Sequence, residues 1–271
     1  MNKIKHNKII CIDSDGCAMD TMNIKHIRCF GPCMVREWEL YEWQDEILER
    51  WNEINLYSGT RGINRFKGLS IALTEIDEKY RKIEGVAALR TFTEDAPELS
   101  NAAVEKMIPV SPVFEKALSW SRMVNEEIEK LPREEIKPFD GVYETFEKIH
   151  ENCDIAVVSS ANPEAVRQEW ERFGLLEMVD RVYTQEAGTK SACIRKILDD
   201  GYGVSDVLMV GDAPGDLGAA RENSVFFYPI LVRHEVESWN ELRENGLERF
   251  LLDDYEEYGK EMVLRFEKNL K

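Results

Sequence analysis

The sequence of 271 residues has no apolar run long enough to cross a membrane or to form the core of a signal peptide. Its first apolar run, residues 9–12, already ends at Asp13. Basic residues are also few, with 35 Lys and Arg against 52 Asp and Glu, so the formal net charge is -17. Without a long apolar run, we expect a cytoplasmic protein that does not bind membranes. We also expect no binding of nucleic acid, because a strongly acidic surface repels polyanions. Any anionic ligand must be held by local positive charge.

The sequence also lacks the cysteine spacing of a disulfide framework. Its six cysteines lie at positions 11, 17, 29, 33, 153 and 193, and in a chain that we expect to have no leader they should be reduced thiols. Cys29 and Cys33 could supply half of a zinc site, but no second Cys or His pair follows at ligand spacing. Buried or incidental thiols are the preferred interpretation.

What the sequence does contain is an alternation of short apolar runs with helical periodicity, which indicates a parallel sheet wrapped by helices. Asn162 and Pro163 begin one of these helices, because Asn is a favoured N-cap residue and Pro favours the first helical position. The predicted fold class is therefore α/β, with a doubly wound parallel sheet as its core. The predicted strands are Lys8–Asp13, Asp154–Ser159, Arg181–Thr184, Val207–Gly211 and Val225–Ile230.

A long segment between the first and second strands breaks this rhythm and shows only helical patterning. We predict a helical domain over residues 21–135, inserted into a core domain formed by residues 1–20 and 136–271. The tryptophans of the insertion are expected to form its core rather than a ligand cage. Its apolar stripes are Trp43, Ile47, Trp51 and Ile54; Leu69, Leu73, Ile76, Tyr80 and Ile83; and Ala117, Trp120, Val124, Ile128 and Leu131.

Two of the predicted strands end in pairs of carboxylates. The first runs into Asp13 and Asp15, and a two-residue spacing in extended chain puts both side chains on one face. The fourth runs into Asp212 and Asp216. Ligand sites of open parallel sheets gather at the carboxyl edge, where helix N-termini offer unpaired amides to anions. Four acids in one pocket need a cation to stay ionised, and all-oxygen ligands suit magnesium better than zinc.

The motifs that follow one another along the chain resemble, in the same order, those of the haloacid dehalogenase superfamily. Residues 13–21, Asp-Ser-Asp-Gly-Cys-Ala-Met-Asp-Thr, resemble its first motif, Asp-x-Asp-Gly-x-x-x-Asp, placed after an apolar strand. Ser159, which closes the second strand, resembles the hydroxyl residue of the second motif, and Lys190 resembles the lysine of the third. Asp212 and Asp216 match the fourth motif.

The resemblance implies a phosphohydrolase that works through a covalent intermediate. Asp13 would attack phosphorus and form an aspartyl-phosphate. Asp15 would protonate the leaving oxygen and then deprotonate the water that hydrolyses the intermediate. Ser159 and Lys190 would grip the phosphoryl oxygens.

The resemblance also implies a magnesium cofactor. Mg²⁺ would be held by the Asp13 carboxylate, the Asp15 backbone carbonyl and Asp212. Asp216 would orient a ligand or a bound water. A dication and a lysine together supply the charge neutralisation that phosphoryl transfer requires.

The position of the insertion resembles the helical cap of the phosphoglycolate phosphatase and β-phosphoglucomutase branch, which implies a Rossmann-like core and a small phosphorylated metabolite as substrate. Residues 138–142, Pro-Phe-Asp-Gly-Val, resemble the segment by which the family returns to its core. Residues 59–65 resemble, more loosely, the substrate loop of β-phosphoglucomutases. Ser160 and Arg65 would then contact substrate. The alternative for Arg65 is a solvated arginine at a helix entry.

Three functions stay open at this point. A phosphatase is favoured, and a phosphosugar mutase that returns the phosphoryl group to the sugar has the same motifs. A non-catalytic phosphoacceptor or metabolite sensor is the third possibility, but it needs neither Asp15 nor an insertion of this size. Dehalogenase and phosphonatase activities are disfavoured, because relatives with those activities lack an acid at the position of Asp15.

Overall fold

The protein is described from residue 4 to residue 271 by a computed structural model, and the chain divides into two compact units. Met1–Met22 and Glu134–Lys271 form the first, here called the sheet unit, which holds the β-strands. Asn23–Arg133 form the second, here called the helical unit. Among the described residues, no helix combines the length and the apolar character that a membrane crossing demands.

The sheet unit is built on five parallel strands, β1 Ile9–Ile12, β2 Asp154–Val158, β3 Arg181–Tyr183, β4 Val207–Gly211 and β5 Phe226–Pro229. Their order in the sheet is β3-β2-β1-β4-β5. The predicted α/β class with a Rossmann-like parallel sheet is thereby confirmed. The central strand β1 pairs on one side with β2 and on the other with β4, and Ile12 lies opposite Val157 and Val210. β1, β2 and β4 are buried along their whole length, which explains why their sequences are continuous apolar runs.

The helical unit packs its helices around a core rich in aromatic side chains. Trp51 and Trp120 are fully buried, as predicted, and Trp120 donates its indole N–H to the carbonyl of Phe30 at 3.1 Å. Trp43 is only half-buried. The helices are α1 Met22–Lys25, which begins one residue before the unit, α2 Gly31–Glu37, α3 Gln44–Asn52, α4 Arg65–Lys79, α5 Val86–Asp95, α6 Asn101–Glu105 and α7 Val113–Glu129.

One predicted helical stripe is shorter than its sequence pattern suggested. The pattern runs to Ile83, whereas α4 ends at Lys79. The chain turns because the Asp77 carboxylate accepts a hydrogen bond from the backbone amide of Ile83 at 2.6 Å. Ile83 nevertheless stays buried in the same core, so the apolar spacing reports burial here but not helix.

The remaining helices belong to the sheet unit and cover its sheet. The helix at Pro163–Arg172, α9, has Asn162 as its N-cap, with the side chain accepting the amides of Glu164 and Ala165, as the sequence predicted. The segment after Ile230 forms three α-helices, with a π-helical stretch at Leu242–Gly246 between the first two. The Tyr255 hydroxyl ties this segment to the sheet by donating to the carbonyl of Phe227 at 3.0 Å. These helices are α8 Val142–His150, α9 Pro163–Arg172, α10 Lys190–Asp199, α11 Pro214–Glu222, α12 Glu235–Glu241, α13 Leu247–Leu251 and α14 Glu256–Asn269.

Candidate active site

The carboxyl ends of β1 and β4 bring the first acidic side chains together. Asp13 directly follows β1, and its amide donates to the carbonyl of Val210 in β4 at 3.0 Å. Asp212 directly follows β4. Both residues are buried, with 5% and 1% of their surface exposed. Because the two strands are neighbours and parallel, their ends lie at the same edge of the sheet.

Asp216 joins this pair from the first turn of α11. Its Oδ2 accepts the backbone amide of Ala213 at 3.0 Å, which fixes the side chain at the helix N-terminus. A Cβ atom at Gly211 would lie 2.4 Å from the Asp216 side chain, so this position has room only for glycine. Carboxylate oxygens of Asp13, Asp212 and Asp216 all lie within 4.8 Å of one another.

Lys190 supplies positive charge to the cluster. It is the first residue of α10, whose N-cap Thr189 accepts the amide of Ala192 at 3.2 Å. Its Nζ lies 2.7 Å from Asp13 Oδ2 and 2.5 Å from Asp216 Oδ1. The ammonium group therefore bridges the end of β1 and the start of α11.

Burial shapes the charges of this cluster. It raises the pKa of Asp13 to about 6, with Lys190 opposing the shift and Asp216 adding to it. Burial and the charge of Asp212 also raise the pKa of Asp216 against the effect of Lys190. For Lys190 burial acts to lower the pKa, but the charges of Asp13 and Asp216 more than offset it and raise the pKa.

The cluster fits a divalent cation by its chemistry. Three buried carboxylates face a single ammonium group, so full ionisation leaves an excess of two negative charges. Burial outweighs the opposing effect of Lys190, so the pKa of Asp13 and of Asp216 stays raised. A dication would balance the excess, and the all-oxygen donor set suits Mg²⁺.

Asp15 lies in the loop that follows Asp13. Gly16 has a φ of +80°, a value that glycine adopts without strain, and its amide donates back to the carbonyl of Met19 at 2.9 Å. The turn brings Thr21 to Asp15, and the Thr21 hydroxyl donates a hydrogen bond to the Asp15 carboxylate. Asp15 itself is half-buried.

The two serines after β2 differ in exposure. Ser159 is buried, and its hydroxyl accepts the amide of Ala161 at 3.2 Å. Ser160 is exposed. β2 is the neighbour of β1, so both serines follow a strand at the edge where Asp13 lies.

Arg65 belongs to the helical unit and begins α4. Its Nη1 donates to the hydroxyl of Ser121 at 3.1 Å and to Asn125 Oδ1 at 2.8 Å, both on α7. Its guanidinium carbon lies 5.0 Å from the centre of the Phe30 ring, and burial lowers its pKa. The side chain is thus engaged by its own unit rather than freely solvated, and its contact with substrate stays a prediction.

The structure therefore brings together Asp13, Lys190, Asp212 and Asp216, all four of which the sequence singled out. Three further contributors were missed. Thr21 is the last residue of the first motif, and the sequence analysis predicted no role for it. A hydroxyl six residues after Asp15 can nevertheless reach its carboxylate across a tight loop. Trp170 and Trp239 carry no local signal, because the contacts they make join residues distant in sequence.

The chain belongs to the haloacid dehalogenase-like hydrolases. The model of that family matches residues 77–229, more than half of the sequence. The matched region contains Ser159, Lys190, Asp212 and Asp216, but it begins after Asp13 and Asp15. The placement of the first motif therefore depends on the geometry described above. A comparison with curated proteins gives no match.

Solved structures share the fold at low sequence identity. A predicted phosphatase from Clostridium acetobutylicum superposes with a TM-score of 0.52 at 15% identity. The superposition covers 90% of this chain and 100% of the phosphatase. A candidate β-phosphoglucomutase from Thermotoga maritima superposes with a TM-score of 0.50 at 15% identity, covering 82% of this chain and 84% of its own. At these identities the likeness concerns the fold.

Proposed function

We propose that the chain is a Mg²⁺-dependent phosphatase that hydrolyses a small phosphomonoester through an aspartyl-phosphate on Asp13. The observation that supports this most is the buried cluster, in which Lys190 Nζ lies 2.7 Å from Asp13 Oδ2 among three carboxylates. In-line phosphoryl transfer needs a positioned nucleophile and charge neutralisation more than anything else. The cluster offers a carboxylate, an ammonium group and ligands for a dication.

The reaction proceeds in two steps that the side chains divide between them. An Asp13 oxygen attacks phosphorus while the ester P–O bond breaks, and the Asp15 carboxyl group gives its proton to the leaving oxygen. Asp15 then takes a proton from water, and that water oxygen attacks phosphorus, releasing inorganic phosphate and Asp13. The Thr21 hydroxyl orients Asp15 for both proton transfers. Lys190 holds Asp13 and balances charge throughout.

In this proposal Mg²⁺ is held by the Asp13 carboxylate, the Asp15 carbonyl and Asp212. Asp216 is the orienting acid, because Lys190 and the Ala213 amide already engage both of its carboxylate oxygens. When bound, the cation withdraws charge from the transferring phosphoryl group.

The helical unit serves in this proposal as the cap that selects the leaving group, with Arg65 as a candidate contact. Ser159 and Ser160 contact the phosphoryl group from the end of β2. Caps of this kind exclude water and read the substrate.

A panel of phosphorylated metabolites incubated with Mg²⁺ tests the function, with free phosphate and sugar-phosphate isomers both measured. Free phosphate from one or a few metabolites supports the phosphatase. An isomer without net phosphate release would support the mutase instead. No turnover of any phosphomonoester, including aryl phosphates, would favour the phosphoacceptor.

A further inference from the structure

The loop that carries the candidate nucleophile folds back on itself. In this nucleophile loop, residues 13–21, the amides of Cys17 and Met19 both donate to the carbonyl of Ser14, at 3.2 and 2.9 Å. The carbonyl of Cys17 and the side chain of Ser14 point away from these turns and find partners outside the loop. Both residues are fully buried, so an unpaired polar atom here would cost about 1–3 kcal/mol.

The side chain of Ser14 is held by a tryptophan from α9. Trp170 Nε1 donates to the Ser14 hydroxyl at 2.9 Å, and neither residue has exposed surface. Ser14 is the immediate neighbour of Asp13. A displacement of Ser14 therefore moves the carboxylate that would attack phosphorus.

The backbone of the loop is held by a tryptophan from the C-terminal segment. Trp239 Nε1 in α12 donates to the carbonyl of Cys17 at 3.0 Å, a contact between residues 222 positions apart. The indole N–H is a donor only and the carbonyl of Cys17 is an acceptor only, so the two groups match.

The two tryptophans form one packed group through Phe146. The centre of the Phe146 ring lies 5.5 Å from that of Trp170 and 5.9 Å from that of Trp239. All three side chains are fully buried. The rigid aromatic group thus presents two N–H donors to two points of the nucleophile loop.

We propose that Trp170 and Trp239 are positioning residues, which set the orientation of Asp13 and Asp15 through Ser14 and Cys17. Helix α12, which lies after Ile230, then helps to position the catalytic residues. The inference depends on the proposed function in one respect, that Asp13 is the nucleophile. Positioning matters because misplacement of a reacting group by about 1 Å can slow a reaction about 100-fold.

Trp239→Phe tests the proposal, since it removes the N–H donor and keeps an aromatic ring. We expect kcat for p-nitrophenyl phosphate to fall between about 10- and 100-fold with KM changed by less than about twofold. Tyr255→Phe is the matched control, because it removes another buried side-chain donor to a backbone carbonyl, at 3.0 Å, in the same segment. It should lower the unfolding temperature and leave kcat unchanged.

Ser14→Ala covers the case in which Trp239→Phe does not fold, because it removes a small acceptor and leaves both rings in place. Ser14→Ala and Trp170→Phe should each lower kcat. In the double variant kcat should fall no further than in the more impaired single variant, because the two residues are partners in one hydrogen bond. Fully additive losses would overturn the role of that contact.

Hydrogen exchange separates this inference from the proposed function, because it does not require turnover. The amides of Gly16, Cys17 and Met19 should exchange faster in Trp239→Phe but not in Tyr255→Phe. Faster exchange in a protein with no phosphatase activity would sustain the positioning role and contradict the function. Unchanged exchange together with unchanged kcat would overturn the positioning role alone.

Discussion

At the scale of single residues, Asp13 is placed for reaction at the expense of stability. Burial raises its pKa to about 6, so the ionised carboxylate that attacks phosphorus costs folding free energy at neutral pH. We expect Asp13→Asn to abolish turnover and, in Mg²⁺-free buffer, to raise the urea midpoint of unfolding. Residual turnover within about tenfold of wild type would show that another group attacks. A lowered midpoint would show that the Lys190 pair outweighs the cost of burial.

Gly211 gives a second prediction at this scale, because the Asp216 side chain occupies the space of its missing Cβ. Gly211→Ala should push Asp216 away from Lys190, lowering both kcat and the unfolding temperature. Gly218→Ala in α11 is the control, since nothing lies within 4 Å of the added methyl group. It should stabilise the protein by about 0.5–1 kcal/mol, as expected for Ala over Gly in a helix, and leave kcat unchanged. Equal effects of the two variants would contradict the packing described.

At the scale of elements, the position of Lys190 depends on where α10 begins. The Thr189 hydroxyl caps that helix by accepting the amide of Ala192 at 3.2 Å. Thr189→Ala should cost about 1 kcal/mol of stability and also lower kcat, because fraying of the first turn frees Lys190. Ser100→Ala removes an equivalent N-cap bond, to the amide of Ala103 at 3.2 Å, from α6 of the helical unit. Ser100→Ala should lower the stability by a similar amount and leave kcat unchanged. An equal loss of kcat in both variants would show that the Thr189 cap does not act through the position of Lys190.

Sequence patterns predicted the elements better than their arrangement. All five strands lie within one residue of the predicted ranges at each end, because a buried parallel strand leaves a continuous apolar run between turns. The strand order and register had no sequence signal of their own. Helix ends were harder, as at Lys79, where the Asp77 side chain turns the chain although apolar spacing continues to Ile83.

The candidate site was predictable for a related reason. Asp13 and Asp212 directly follow apolar strands, so their meeting at one edge follows from a parallel sheet. Asp216 belongs to the same acidic stretch after the fourth strand, whereas Lys190 lies in the first turn of a helix and was found only through the family motifs. The contact between Trp239 and Cys17 could not be predicted from the sequence, because it depends on how the C-terminal helices pack.

At the scale of the whole molecule, the net charge of -17 opposes the binding of a phosphorylated substrate. Added salt screens this repulsion more than it weakens the buried contacts with Lys190. We therefore expect KM for a dianionic phosphomonoester to fall between about 10 and 150 mM ionic strength at constant Mg²⁺, with kcat unchanged. A KM that rises steadily with salt would show that a positive surface, not the buried cluster, attracts the substrate.

The covalent role of Asp13 is the central claim and can be tested by chemical trapping. The enzyme is mixed with p-nitrophenyl phosphate and Mg²⁺, quenched in acid, and treated with borohydride, which reduces an aspartyl-phosphate to homoserine. Peptide mass spectrometry then locates the reduced residue. We predict homoserine at position 13 in the wild type and none in Asp13→Asn. Homoserine at another aspartate, or none at all while phosphate is released at the usual rate, would contradict the mechanism.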